Sequence, residues 1–296
     1  MFSRYTSSWE LLKASAAVLR SDKQLLVFPL VSAVASLFVT ATFFIPAALY
    51  AYSHHMFTNA AMSAPPQTRE VGSQLHSVMG YVFMFMFYLA QYLVIFFANT
   101  ALVGAALIRL RGGKPSVRDG FNLAMSHLAA IAGYALISAT VGVVVRSLSE
   151  RMGFIGRIVM GFFGMAWNIA TFLVTPVLIM ENVGPVEAVK RSSALLKRTW
   201  GEQIIGGAGL NAAFGLIALL LIAVFVPLFI GAASMQSLPL ALTLGVVFIL
   251  ALTTLALIQS ALSGIYTAAV YLYASEGFTG GLFDPEMIRR AFRAKK

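Results

Sequence analysis

Long stretches of apolar residues alternate along the chain with short clusters of charge. No Asp, Glu, Lys or Arg occurs in Gln24–Thr68, Val71–Ile108, Gly120–Val145, Ile158–Met180 or Gln203–Ser275. A membrane-spanning helix needs about 20 consecutive, largely apolar residues. The first stretch holds one span, residues 25–52, followed by a polar loop. The second holds one long span, 78–110, which must tilt or project beyond the hydrocarbon. The third and fourth hold one each, at 121–145 and 158–180. The last is too long for one crossing and breaks at Ser234-Met235-Gln236-Ser237-Leu238-Pro239, which gives spans at 203–233 and 240–274. The pattern predicts an all-α, polytopic membrane protein with six transmembrane helices in three hairpins and cytoplasmic amphipathic interfacial helices. An N-terminal interfacial helix (1–24), a six-span membrane domain (25–274) and a cytoplasmic amphipathic tail (275–296) make up the expected organisation.

The segments between hairpins carry a second pattern. Ser7-Ser8-Trp9-Glu10 reads as a capping box opening a helix with Trp9, Leu12, Ala16 and Leu19 on one face and Glu10, Lys13 and Arg20 on the other. Such a helix lies in the membrane interface with its basic side among headgroups. A roughly 20-residue mixed segment before the first span does not fit a cleavable signal peptide. Ser116-Val117-Arg118-Asp119 repeats the cap before the third span, and Gly184-Pro185-Val186-Glu187 places Pro at a helix start before the fifth. Asp284-Pro285-Glu286 opens a fourth basic amphipathic segment, Met287–Lys296. The even-numbered spans end alike, at Thr100-Ala101, Thr175-Pro176 and Thr267-Ala268, each followed by a glycine-containing break. Interfacial helix and hairpin thus alternate three times, in the manner of a duplicated membrane protein.

Composition and charge sharpen the class. Of the 296 residues, 59% are apolar and 11% charged, against about 25% charged in soluble domains. Soluble enzymes and disordered tails are excluded. With no cysteine, disulfides, thiolate metal sites and cysteine nucleophiles are excluded as well. Seventeen of the 21 basic residues fall on one side of the predicted topology, and only Arg69, Arg146, Arg151 and Arg157 on the other. By the positive-inside rule both termini are cytoplasmic. The net charge of +10 then reflects adhesion to anionic inner-leaflet lipid, with no nucleic acid as partner.

Trp9-Glu10-Leu11-Leu12-Lys13-Ala14-Ser15, Val18-Leu19-Arg20-Ser21-Asp22-Lys23, Phe28-Pro29, Met180-Glu181-Asn182 and Val186-Glu187-Ala188 together resemble an uncharacterised family of bacterial six-span integral membrane proteins. More distantly, the layout resembles the membrane domain found beside glycerophosphodiester phosphodiesterases. The resemblance implies the fold and a bacterial inner membrane, and no activity.

Candidate chemistry is sparse. No span interior holds an Asp, Glu, Lys or Arg, which argues against proton-coupled transport. Gln91, Asn99, Asn168, Asn211 and Gln259 are the polar residues that could line a path, and the plainer alternative for each is an interhelical hydrogen bond. Ser260, Gly264 and Ala268, four apart, mark a close helix contact within or between chains. Lys13, Arg20, Lys23, Arg109, Arg111, Lys114, Lys190, Arg191, Lys197, Arg198, Arg289 and Arg290 are candidates for lipid headgroups. His54, His55 and His76 share an external loop with several methionines, a ligand set suited to copper, but their spacing matches no metal motif. His127 reads as an interfacial or hydrogen-bonded residue. Arg146, Glu150, Arg151 and Arg157 could grip a phosphate, with an Arg146–Glu150 helix pair as the simpler alternative. Gly112-Gly113-Lys114-Pro115-Ser116 has the wrong spacing for a phosphate loop, and no catalytic motif or cofactor site is found. The expected function is non-enzymatic transport or lipid handling, with membrane lipid as partner and homo-oligomerisation open. A structural or accessory subunit packing on another membrane protein, and periplasmic-side copper binding, are the alternatives.

Overall fold

A computed structural model describes residues 15–53, 66–198 and 203–276. Helix α1, described over residues 15–21, and a 3-10 turn at Lys23–Leu26 lead into α2 (Val27–Ser53), and α3 (Pro66–Leu110) completes the first hairpin. The second unit comprises α4 (Val117–Ser126), α5 (Leu128–Arg151), α6 (Gly153–Ala170) and α7 (Val174–Glu181). The third comprises α8 (Pro185–Arg198), α9 (Gln203–Ser234) and α10 (Leu238–Glu276). Six helical stretches are long and apolar enough to cross a membrane: Lys23–Tyr50, Met79–Leu110, Leu128–Glu150, Gly156–Glu181, Leu210–Ser234 and Leu238–Glu276. The chain is thus an all-helical, multi-pass protein. The expected cap at Ser7 and the tail helix from Asp284 lie outside the described residues.

Two spans differ in detail from the hydrophobic pattern. The third was expected to run from Phe121 to Val145, but Phe121 belongs to α4 and the span begins at Leu128. Both halves of the Ser116 capping box form, which starts α4 early: Asp119 N–H donates to Ser116 Oγ at 3.2 Å, and Ser116 N–H to Asp119 Oδ2 at 2.9 Å. The chain then turns at His127, whose Nδ1 lies 2.9 Å from the Leu123 carbonyl oxygen. The fourth span, continuous in the pattern, is broken between α6 and α7. Pro176 has no N–H for the Phe172 carbonyl and its ring would crowd that carbonyl in a straight helix. The Leu173 N–H, left without a helical acceptor, donates instead to the buried Ser192 Oγ of α8 at 3.0 Å.

The buried core lies at one end of the bundle, the end that carries the basic connectors. The C-terminal parts of α3, α7 and α10 converge there, burying Ala101–Leu107, Val174–Ile179 and Ala261, Leu262, Ile265 and Ala268. Thr100, Thr175 and Thr267, which end the three even spans alike, are all buried in it. Lipid supplies no hydrophobic drive for helices to associate, so close approach through small residues must do so. A Cβ on Gly264 of α10 would fall on the Leu102 side chain of α3, and one on Gly120 of α4 would come within 2.8 Å of the Ala101 carbonyl oxygen. The small-residue stripe at Gly264 and Ala268 is therefore a contact within the chain. The amphipathic helices close the core from below: α4 packs on α3, α8 on α7, and the 3-10 turn on α10. Toward the opposite end Leu37, Phe38, Leu219 and Ile249 face outward.

Candidate functional site

The second hairpin holds an open concavity. Gly153, at φ +63°, lets the chain reverse between α5 and α6, and Gly142, Gly161 and Gly164 leave space where the two helices face each other. The result is an open groove of about 630 Å³. Tyr92 of α3 forms its back, Ser138 its inner end, Trp167 and Asn168 one lip, and Arg146, Glu150 and Arg157 its mouth. At 1.5 Å rise per residue, Ser138 lies about 12 Å along α5 from Arg146. Ser138 is only 5% exposed, with the Tyr134 side chain as its polar neighbour one turn earlier in α5. The back wall is stiffened by stacked rings: Tyr88–Tyr92 at 6.2 Å, Tyr92–Phe96 at 5.4 Å and Phe96–Tyr134 at 4.4 Å between centroids.

At the mouth, Arg146 Nε donates to Glu150 Oε1 at 3.0 Å and its Nη1 to Tyr88 Oη at 3.0 Å. The simpler helix pair is therefore present. Arg157, on the α6 side, is exposed and makes no hydrogen bond or ion pair among the described residues. Nothing is described of the Arg151 side chain. A smaller cavity of about 350 Å³ between α3 and α5, lined by Tyr81, Met84 and Tyr88, shares Arg146 and Glu150 with the groove.

The five polar span residues do not form one lining. Gln91 Nε2 donates to Thr40 Oγ1 at 2.8 Å and to the Ser36 carbonyl at 3.1 Å, tying α3 to α2. Asn99 Nδ2 donates to Thr175 Oγ1 at 3.3 Å, tying α3 to α7. Gln259 Nε2 donates to Asn211 Oδ1 at 3.1 Å, tying α10 to α9. Asn168 alone of the five lines the groove.

The basic end divides similarly. Arg109 is drawn inward, its guanidinium donating to Ser21 Oγ and the Gly113 carbonyl, both at 3.3 Å. Arg111 pairs with Glu276 at 2.6 Å, and Arg191 with Glu181 at 2.9 Å, while Tyr271 Oη donates to that same Glu181 at 3.4 Å. These contacts bind α3, α7, α8 and α10 together. Lys190 stands 3.8 Å from Glu187. Arg20, Lys23, Lys114 and Lys197 are exposed on this end. The backbone of Arg198 is helical; Lys13, Arg289 and Arg290 lie outside the described residues. His54 and His55 lie outside them too, as does the side chain of His76. Among the described residues no three His, Asp or Glu side chains gather in a metal-like group.

Sequence reasoning missed Tyr92, Ser138, Trp167 and the facing glycines, because a groove between two helices depends on which faces meet. The spacing of Gly161 and Gly164 within one apolar span was the available signal. No curated protein matches the chain. The model of a family of unknown function, DUF6159, matches residues 78–281, more than two thirds of the chain, and the chain belongs to that family.

Proposed function

We propose that this protein is a non-enzymatic lipid-handling protein of a bacterial inner membrane, with both termini cytoplasmic, and that the α5–α6 groove admits a membrane amphiphile. One observation carries the reading: the groove is open between two membrane-spanning helices, yet is lined by polar Ser138 and Asn168 and by two arginines and one glutamate. A lipid-facing surface with no ligand to hold has no use for a buried hydroxyl or two guanidiniums. The orientation is supported by the positive-inside bias, and exposed Arg20, Lys23, Lys114 and Lys197 would hold the core end against anionic headgroups.

The test is photolabelling in nanodiscs with a phospholipid carrying a diazirine in its acyl chain. Labels should concentrate on groove residues such as Val141, Val145 and Met160 relative to Leu37 and Phe38, which face outward on α2. Equal labelling of both surfaces would refute the reading.

A second reading is an accessory subunit or homo-oligomer that packs on the third hairpin. There α9 packs chiefly against α10 and leaves Leu219, Leu220, Ile230 and Leu250 exposed. Native mass spectrometry from nanodiscs decides it, since a fixed-stoichiometry complex supports it and a lone chain does not.

A further inference from the structure

We infer that the α5–α6 groove selects its amphiphile by a phosphate-bearing headgroup held between Arg157 and Arg146. This inference rests on the amphiphile reading of the groove and specifies the ligand's chemistry.

The charge at the mouth is unbalanced, with two arginines on different helices against Glu150 alone. Glu150 is already engaged by Arg146 Nε at 3.0 Å, and the Tyr88 hydroxyl takes a second donor of the same guanidinium. A guanidinium has five N–H donors in a fixed fork, so Arg146 is held in orientation with donors to spare. Arg157, which lines the same groove from α6 and has no partner among the described residues, has its full set. An unpaired guanidinium at the edge of hydrocarbon calls for an anion. Phosphate fits better than carboxylate: its non-ester oxygens can be shared between two forks approaching from separate helices. Below the mouth the groove is also lined by Val141, Val145, Met160 and the facing glycines, the apolar positions along which a chain attached to that headgroup would lie.

The experiment compares two diazirine-tailed probes with identical chains, phosphatidic acid and diacylglycerol, on the full chain in nanodiscs. Groove labelling by phosphatidic acid should exceed that by diacylglycerol about tenfold, the worth of one hydrogen bond between charged partners. Arg157→Gln should bring it down to the diacylglycerol level, and Arg157→Lys should restore part. Glu150→Gln should raise it by freeing Arg146. Unchanged labelling of the outward face of α2 in each variant shows that the fold is intact. Equal groove labelling by both probes overturns the headgroup inference and leaves the amphiphile reading standing. Groove labelling no higher than that of α2 with either probe overturns both. Loss of phosphatidic acid labelling on adding millimolar inorganic phosphate would identify a site for the free anion, and overturns the lipid assignment.

Discussion

Ser192→Ala removes the one side-chain oxygen that closes the break in the fourth span. Ser192 is fully buried, as is Leu173, whose N–H it accepts at 3.0 Å. No water can replace the lost acceptor, so the substitution leaves a buried amide unsatisfied, at a cost of about 1–3 kcal/mol. Alanine in a helix interior returns about 0.5 kcal/mol of propensity. The net loss is about 0.5–2.5 kcal/mol, or roughly a 2- to 60-fold shift in the unfolding equilibrium at 1.4 kcal/mol per tenfold. The neighbouring Ser193→Ala is the control. Its hydroxyl donates to the Lys190 carbonyl of its own helix at 2.8 Å, so its loss strands no donor and should be neutral or slightly stabilising. Unfolding in mixed micelles of increasing SDS fraction gives the energies, and hydrogen exchange at the Leu173 amide locates the effect. Identical midpoints for the two variants, with Leu173 protection unchanged, would refute the idea that α8 holds the broken span through this bond.

Three further outcomes follow from the same geometry. Gly264→Ala sets a methyl against the fully buried Leu102 and should destabilise by about 1–3 kcal/mol. Leu102→Ala in the same chain should relieve part of that, so simple additivity in the SDS titration would contradict the contact. The hydrogen bonds from Ser116 hold the Asp119 carboxyl below its ordinary value of 3.8. Its contribution to the start of α4 is therefore full above that value and lost as pH falls through the lower folded one. Amide protection in α4 should weaken on acidification, and Asp119→Asn should flatten the profile; an unchanged profile in that variant would remove Asp119 as the cause. Breaking the Asn211–Gln259 bond with Gln259→Leu should destabilise by only about 0.6 kcal/mol. The double variant with Asn211→Leu should recover most of it, and a loss of several kcal/mol in the titration would mean the pair does more than join α9 to α10.

The six crossings, the caps at Ser116 and Pro185 and the basic character of one end were all legible in the residue pattern. Each depends on residues adjacent in the chain: the transfer of a segment into hydrocarbon is set by its own side chains, and a cap by a hydroxyl or ring three residues from the groups it serves. The start of the third span was placed early, at Phe121, because the apolar residues on either side of His127 lie in one charge-free stretch, whereas the turn at His127 and the packing of Gly120 on α3 set α4 apart. The groove was visible in fragments, as a possible arginine grip and a lone Asn168, and nothing in the pattern joined them.

The sequence by itself determined that this chain is helical, multi-pass and basic at one face, because hydrophobicity and charge act residue by residue. The tertiary structure alone decided that Gln91, Asn99, Asn211 and Gln259 are spent joining helices while Asn168 faces an open groove. It also decided that Gly264 meets Leu102 and that Ser192 completes a helix in another segment. The physical reason is the same in each case. In lipid every helix face is equally content, so which faces meet is settled by shape and hydrogen bonds between residues distant in the chain.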